Sequence, residues 1–421
     1  MASTPASELA HAVLDSCLQD GTWPARALDD LIERALDQDD TFVAMAATRA
    51  LFTIVIERLG DLFDPGLCDV YARLFSHVIS RAIPDYDPAD LLLRYNRVRQ
   101  VRRFQGGEVG RVFVLSRVTL GADVAVTSVV LNAAKQRFPE AEICFVGPEK
   151  NAELFAADPR IVPISLLYGR GGLLRERLQA AAELLVAVDE PNSIVIDPDS
   201  RLTQLGLMPV GEDDARYYFF ESRAFGGQLS VSLPRLTAEW LNEVFDVESP
   251  APFVAPLQQS KIADITVSWG VGDNLQKRLD DDFECAVLSE LLRKGRLVLL
   301  DRGAGAEEVA RVDRLFSRLG FPAQLYLHEG SYGSFASHIV QSKLYIGYDS
   351  AGQHVASAAG VPLVSVFKGY VCERMLSRWS PDTPRSHVVV VGEENPSAIL
   401  YRTLAVIGEA EEEGARAASM G

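Results

Sequence analysis

The clearest indication of the fold is the stretch "KLYIGYDSAGQHVASAAGVPLVSVF", residues 343–367. Two continuous apolar runs, "KLYIGYD" and "PLVSVF", flank a segment made mostly of Ala, Ser, Gly and Val. Such runs are typical of strands buried on both faces of a parallel sheet, and parallel neighbours need a crossover connection. The stretch therefore predicts a strand that ends at Asp349, a helix after it, and a second parallel strand.

The same alternation extends in both directions from this stretch. It begins at Arg111 and breaks once, around residues 233–262, where prolines accumulate and no strand pattern is visible. We place a boundary between two βαβ domains there, because a break of this composition marks a connection. The pattern predicts an α/β protein with parallel sheets covered by helices on both faces. The further apolar runs are "RVFVLS", "EICFVG", "SIVIDPD", "DITVSWG", "RLVLLD" and "HVVVVG".

The beginning of the chain has a different pattern. Apolar positions recur at helical spacing in "ELAHAVLDSCL", "ALDDLIERAL" and "FVAMAATRALFTIVIERLGDLF". The stretch "RFQGGEVG" then has the composition of a connector. The sequence therefore predicts an N-terminal all-helical domain at 1–104, a first Rossmann-like domain at 105–245 and a second at 246–421. The last of these ends in a helix and an acidic tail.

Composition limits the function. The chain has 421 residues, 48% of them apolar, and a formal net charge of -17, which opposes a nucleic-acid backbone as the main partner. No apolar run approaches the ~18 residues that span a bilayer, and no signal-peptide pattern is visible. Five scattered cysteines without C-x-x-C spacing predict neither a disulfide framework nor a zinc site. We expect a cytoplasmic protein with at most peripheral membrane contact.

Two carboxylate clusters could suggest a metal site, and several serines could suggest a hydrolase, but the surrounding sequence favours neither. "DPD" at 197–199 follows a strand, and "DDD" at 280–282 resembles a helix start, so neither predicts a metal site. The serines at 116, 268 and 350 lack a G-x-S-x-G setting. The sequence therefore predicts neither a bound metal nor a hydrolase triad.

Three turns carry the candidate site. The turn after Asp349 would present unpaired N–H groups to a phosphate, although capping and tight helix packing explain its small residues equally well. Asp123 follows "LGA" at the carboxyl edge of the first predicted sheet, where open α/β sheets bind ligands, but it also suits a helix N-cap. In "VSWGVGDNLQKRLDDDF", Lys277 and Arg278 could neutralise a pyrophosphate or form a solvated charge pair.

Together these stretches resemble glycosyltransferase family 9, the ADP-heptose:lipopolysaccharide heptosyltransferases and their relatives. The family's R-x-x-x-L-G-D-type turn and following helix are matched by "RVTLGADVAVTSVVLNAAKQRFP". Its D-[ST]-G-x-x-H pattern, followed by A-A-x-G-x-P, is matched by "DSAGQHVASAAGVPLVSVF". The glycine stands one place earlier in the first motif, at Gly121, and later in the second, at Gly352. The resemblance covers roughly residues 110–405 and leaves the helical segment without a counterpart.

The resemblance implies a GT-B fold, in which two Rossmann-like domains face a cleft and bind acceptor and nucleotide-sugar donor respectively. It also implies metal-independent inverting transfer of a heptose-like or other hexose sugar, with no cofactor beyond the nucleotide sugar, and it suggests an ADP-linked donor. Asp123 matches the family's catalytic base. The residues that match its donor site are Lys277 or Arg278, Glu307 or Glu308, Asp349, Ser350, Gly352, Gln353 and His354.

The acceptor, whether glycan, lipid-linked or protein, is not specified by the sequence. One competing hypothesis is a catalytically inactive GT-B-like protein that binds a partner through its cleft or its helical domain. The helical domain could also mediate binding to a partner or a second copy in the active enzyme. Another is an NAD-dependent oxidoreductase, which is disfavoured because "LLDRGAGAEEVARV" contains G-x-G but lacks the third glycine of the dinucleotide fingerprint.

Overall fold

The computed structural model of the protein describes residues 4–272 and 274–420, with side chains as far as Gly414. Its first part is helical. A π-helical segment, Leu51–Ile56, connects the third and fourth helices. The helices of this part, called here the helical layer, are α1 (Ala6–Asp20), α2 (Ala25–Ala35), α3 (Thr41–Ala50), α4 (Glu57–Asp61), α5 (Pro65–Ala82) and α6 (Pro88–Val98).

The local sequence explains where several of these helices begin. Asp40, Asp64 and Asp87 each accept hydrogen bonds from backbone N–H groups in the first turns of α3, α5 and α6. Proline at the first helical position of α5 and α6 fits the same start, since its missing N–H is not needed there. Among the described helices, none combines the length and the apolar character that a bilayer-spanning helix needs.

The first α/β unit follows. Its strands form a parallel sheet in the order β3-β2-β1-β4-β5. A π-helical segment, Asp123–Thr127, joins α7 to α8. The elements are β1 (Arg111–Leu115), α7 (Leu120–Ala122), α8 (Ser128–Arg137), β2 (Glu142–Gly147), α9 (Glu149–Ala152), β3 (Ile161–Ser165), α10 (Leu174–Val188), β4 (Ser193–Asp197), β5 (Tyr217–Phe219) and α11 (Leu233–Phe245).

The second α/β unit forms a parallel sheet in the order β11-β10-β9-β6-β7-β8. The predicted acidic tail is part of its last helix, and Gly421 lies outside the described residues. The elements are β6 (Ile265–Ser268), α12 (Asp281–Arg293), β7 (Val298–Asp301), α13 (Ala306–Arg318), β8 (Leu325–His328), α14 (Tyr332–Val340), β9 (Leu344–Tyr348), α15 (Ala351–Ala358), β10 (Leu363–Phe367), α16 (Glu373–Trp379), β11 (Ser386–Val390) and α17 (Pro396–Met420).

Both strand orders are of the doubly wound Rossmann type. The order reverses between β1 and β4 in the first sheet and between β6 and β9 in the second. Ligands of such folds bind beyond the carboxyl ends of the strands at this reversal, the topological switch point. The predicted α/β class is therefore confirmed, as is the strand–helix–strand unit β9–α15–β10 from which the sequence argument began.

The helical layer and the first sheet share one apolar core. Phe113 and Leu115 of β1 point into a cluster with side chains of α1–α6 and α10, while Val112 and Val114 point to the other face. This is the alternation that a strand buried on both faces produces. The helices of the layer therefore pack directly on one face of the first sheet. The separate helical domain expected from the sequence would not need to share a core with that sheet.

A second apolar cluster joins the two α/β units. Val124 and Val129 of the first unit and Tyr345 and Val355 of the second all belong to it. Above this cluster, the α7 turn touches the start of α15: a Cβ built on Gly121 would lie 3.1 Å from a ring carbon of His354 and 3.4 Å from the Cα of Ala351. We call this contact the seam. The cleft expected between the two α/β units is closed at the seam.

Candidate active site at the seam

The switch point of the second sheet carries an ion pair. Lys277 lies on the loop after β6, and Asp349 follows β9, the neighbouring strand. The Lys277 Nζ is 2.5 Å from Asp349 Oδ2 and 3.4 Å from the Asp349 carbonyl oxygen. Both side chains are largely buried, at 19% and 7% exposure. Two residues selected from distant motifs thus meet where a doubly wound sheet binds its ligand.

Gln353 fixes the carboxylate of Asp349 from the other side. Its Nε2 donates to Asp349 Oδ1 at 2.6 Å, and its Oε1 accepts from the Ser365 hydroxyl on β10 at 2.5 Å. The side chain is fully buried. Gln353 therefore connects α15 to the adjacent strand and holds Asp349 in line with Lys277.

Arg278, the alternative to Lys277, belongs to a different network. Its Nε donates to Glu284 Oε1 at 2.8 Å, and its guanidinium also contacts Asp281. The buried Glu284 receives further hydrogen bonds from Arg311 at 2.7 Å and from the Tyr348 hydroxyl at 3.1 Å. Arg278 thus anchors the start of α12, and Lys277 is the cation that faces the switch point.

The small residues of α15 have two different environments. Ser350 and Ala351 are partly exposed at the helix start, and the Ser350 side chain makes no capping hydrogen bond. Gly352 is buried, and a Cβ there would lie 2.8 Å from the Cε2 of Tyr345, closer than real contacts allow. Tight packing on the sheet therefore accounts for Gly352, and open backbone is found at Ser350 and Ala351.

His354 is buried beside the seam. Its ring lies 5.7 Å from the ring of Trp379, centroid to centroid. Burial is the largest cause that lowers the pKa of His354, to about 4. The imidazole is therefore neutral near pH 7, so it can donate or accept a hydrogen bond but brings no positive charge to a diphosphate.

Of the two candidate acids after β7, one lies near the switch point. Glu307 is exposed and makes no hydrogen bond or ion pair with any residue that the structure describes. Glu308 is partly buried: its Oε2 accepts from the Ala304 N–H at 3.3 Å, and its Oε1 is 3.4 Å from a Cβ built on Gly270. Glu308 thus lies against the ends of β6 and β7.

Asp123 is completely enclosed. Four groups donate to its carboxylate: the hydroxyls of Ser116 and Thr127, both at 2.6 Å, the Arg117 N–H at 2.7 Å and the Asn151 amide at 2.5 Å. Burial is the first cause acting on the pKa of Asp123 and raises it, while these hydrogen bonds act in the opposite direction. In this conformation the carboxylate holds the turn after β1 together and has no oxygen open to an acceptor.

Three arginines at the first switch point were not singled out from the sequence. Each belongs to a Ser-Arg dipeptide after a strand: Arg117 after β1, Arg201 after β4 and Arg223 after β5. The recurrence of this dipeptide at strand ends is the signal that could have identified them. Arg117 donates to Ser222 Oγ, and Arg223 Nη1 is 2.5 Å from Asp199 Oδ2.

These arginines lie close enough to one another to interact electrostatically. The Nη1 of Arg201 is buried and has no hydrogen-bond partner among the described residues. Burial is the largest cause that lowers the pKa of Arg117, to about 10, which still leaves it charged at neutral pH. The first switch point thus carries three guanidinium groups, and Asp199 compensates part of their charge: its Oδ2 is 3.9 Å from Arg117 Nη2 and 2.5 Å from Arg223 Nη1.

The carboxylate clusters have structural partners. Asp197 accepts from the Ser200 N–H at 2.6 Å, the Thr203 hydroxyl at 2.5 Å and the Tyr217 hydroxyl at 2.7 Å. Asp280 caps α12 by accepting from the Phe283 N–H at 2.9 Å, as the sequence predicted. In the described part of the chain, no three His, Cys, Asp or Glu side chains are grouped so that they could hold a metal ion.

Comparison with solved structures shows the fold. The chain is similar to a glycosyl transferase of family 9 from Veillonella parvula (16% identity, TM-score 0.54, 73% of this chain and 98% of that one). It is also similar to the E. coli heptosyltransferase WaaC with ADP (14%, 0.54, 71% and 99%) and to E. coli ADP-heptose lps heptosyltransferase II (15%, 0.50, 72% and 99%). No protein-family model and no curated protein matches the sequence. At these identities, what the chain shares with the heptosyltransferases is their fold.

Proposed function

We propose that the protein is a glycosyltransferase of GT-B type, which binds a nucleotide-diphosphate sugar at the second switch point and transfers the sugar to an acceptor hydroxyl. The observation that carries this proposal is the Lys277–Asp349 pair at the carboxyl edge of the second sheet. A diphosphate placed there would meet the lysine ammonium and the N–H groups at the start of α15.

The neighbouring residues suit the same ligand. Glu308 lies near the ends of β6 and β7, and there it would accept hydrogen bonds from ribose hydroxyls of the donor. Lys368, directly after β10, donates to the Arg278 carbonyl oxygen at 2.8 Å and adds a second cation to this edge. Both cations would stabilise charge that develops on the departing nucleotide diphosphate, which is the role that a metal ion would otherwise have. The proposed transfer therefore needs no metal, and direct attack of the acceptor on the anomeric carbon would make it inverting.

Binding requires the seam to open. Gly121 touches Ala351 and His354 where the sugar would have to lie between the units. Closure of lids or domains around a substrate commonly occurs on the microsecond to millisecond scale, and it excludes water from the reaction. We therefore propose that the closed seam widens to admit the donor.

Calorimetric titration with a panel of ADP-, UDP-, GDP- and dTDP-sugars tests the proposal. Lys277→Met should weaken binding of the preferred donor at least tenfold, about 1.4 kcal/mol. Lys343→Met is the matched control, because Lys343 is 71% exposed and pairs only with Asp264 in the described structure. Failure of every nucleotide sugar to bind, or equal affinity of the two variants, would reject this donor site.

A non-catalytic binding protein is the second candidate, and the enclosure of Asp123 favours it. A carboxylate whose oxygens already accept four hydrogen bonds is a poor base in the observed conformation. The two candidates differ in turnover: a transferase releases nucleotide from the bound donor, at least slowly to water, with or without EDTA. Binding without any nucleotide release would support the second candidate.

A further inference from the structure

The end of α4 and the turn that follows it in the helical layer reach both α/β units. On the side of the first unit, a Cβ built on Gly60 would lie 2.7 Å from the Nε of Arg223. On the side of the second unit, the Leu62 carbonyl accepts from Cys372 Sγ at 3.8 Å, and the Phe63 carbonyl accepts from Arg374 Nη1 at 2.6 Å. The residue between these anchors is Asp61.

Aromatic contacts extend this arrangement to the proposed donor helix. The Phe63 ring lies 6.2 Å from Trp379, edge to face, and Trp379 lies 5.7 Å from His354 of α15. Edge-to-face pairs at such distances are favourable contacts that fix ring orientation. The position of Asp61 is therefore determined by packing against both units, although it belongs to neither.

The carboxylate of Asp61, unlike that of Asp123, accepts no hydrogen bond from any described residue. Asp61 is partly exposed, and it makes no hydrogen bond or ion pair within the part of the chain that the structure describes. Its charged neighbours come from both units: Arg223 and Arg201 from the first, and Lys277 from the second. Lys277 is also the cation proposed to face the diphosphate, so Asp61 and the proposed donor site share this neighbour.

We propose that Asp61 is the general base of the transfer reaction, supplied to the seam by the helical layer. This inference rests on the proposed function. As the acceptor oxygen bonds to the anomeric carbon, its proton passes to the Asp61 carboxylate. The bond from that carbon to the diphosphate oxygen breaks, and its electron pair leaves with the nucleotide diphosphate, beside Lys277.

The environment of Asp61 suits a base. Enclosure by surrounding atoms is the first cause that raises its pKa, the charge of Arg223 opposes it, and Glu57 raises it further. A carboxylate whose pKa is raised towards the working pH accepts a proton more readily during reaction. Arg223 and Arg201, at the first switch point, would hold an acceptor beside it.

The test measures nucleotide release from the donor that binds in the titration above, with water as the acceptor, as a function of pH. Asp61→Asn should lower the rate at least 100-fold and remove the acid limb of the profile. Its donor Kd should stay within about threefold of wild type. Asp61→Glu should keep the acid limb at a reduced rate, which a merely structural role would not predict.

Asp69→Asn is the matched control, because Asp69 lies on α5 of the same layer, is 56% exposed and pairs with Arg99 away from the seam. It should keep the wild-type profile. A folded Asp61→Asn with an intact acid limb would overturn the inference, as would a wild type that binds donor but never releases nucleotide. If no nucleotide sugar binds, the titration alone already rejects the proposed function, and this inference falls with it.

Discussion

At the scale of single residues, the number of donors around Asp123 decides what a substitution there would do. Asparagine offers one acceptor oxygen and an NH2 group in place of two acceptor oxygens. The hydroxyls of Ser116 and Thr127 can rotate, but the Arg117 N–H and the Asn151 amide keep pointing at the site. We expect Asp123→Asn to lower the free energy of unfolding by about 3 kcal/mol, since buried donors lose their partner.

Urea unfolding would measure this loss, with Asp15→Asn as the control, because Asp15 is exposed on α1. A loss for Asp123→Asn that does not exceed the control's would contradict the structural role. Nucleotide release by the folded variant gives a separate readout. If stability is unchanged while release collapses, Asp123 is the base, as the family resemblance implied.

The sequence predicted the position of Asp123 at a sheet edge but could not predict its partners. One of them, Asn151, is 28 residues away and approaches only when β1 and β2 pair. The same holds for the Lys277–Asp349 pair, whose members are 72 residues apart. Asp61 lay outside the prediction altogether, because the helical layer has no counterpart in the family that the sequence resembles.

His354 makes stability depend on pH. Its pKa falls from 6.5 to about 4 on folding, chiefly through burial, so the unfolded chain binds the proton more tightly. The stabilising contribution is complete above the unfolded pKa and is lost as the pH falls through the folded pKa. Between neutral pH and about pH 5, wild type should lose about 2 kcal/mol more stability than His354→Gln does.

Urea titrations of the two proteins at both pH values would show this. Buried carboxyl groups such as Asp197, whose pKa is raised by burial to about 6, respond in the opposite direction. These carboxyl groups are present in both wild type and His354→Gln, so their effect cancels when the stability changes of the two proteins are subtracted. Parallel stability curves for wild type and His354→Gln would mean that the imidazole is not buried in solution.

At the scale of elements, the strands missed by the sequence argument share a position. Eight of the described strands were identified from apolar runs, and the three that were missed are β3, β5 and β8. All three lie at the edges of their sheets. β3 and β8 are partly exposed, and β5 is buried but only three residues long, so none of the three has the continuous apolar run that marks an inner strand. β3 also contains Pro163, which such runs avoid.

The boundary between the helical layer and the rest was visible in the sequence, but its packing was not. Helical periodicity shows that a segment has an apolar face, and it does not show what covers that face. The structure shows what covers the apolar face of the layer: Phe52, Phe75 and Tyr95 belong to the same core cluster as Phe113 and Phe219 of the first sheet. Segments that the sequence pattern predicts to be separate domains can therefore share one core in the structure.

At the scale of the whole molecule, this shared core decides what removal of the helical layer would do. A chain that begins at residue 105 would expose apolar side chains of the first sheet that are now almost fully buried. These are Phe113 (0% exposed), Leu115 (0%), Val195 (5%), Tyr217 (2%) and Phe219 (3%). Exposed apolar patches of this kind lead to partial unfolding or aggregation.

We therefore expect the chain 105–421 to be aggregated or to bind a hydrophobic dye strongly, and to lack native near-ultraviolet dichroism. Co-expression with a separate chain of residues 1–104 should restore a soluble complex, because the contacts need no covalent connection. Size-exclusion chromatography, dye binding and near-ultraviolet dichroism of the truncated and the reassembled protein test this expectation. A monomeric, cooperatively folding 105–421 would show instead that residues 1–104 are an independent domain. If that fragment also cleaved a nucleotide sugar at the full rate, the base could not come from Asp61.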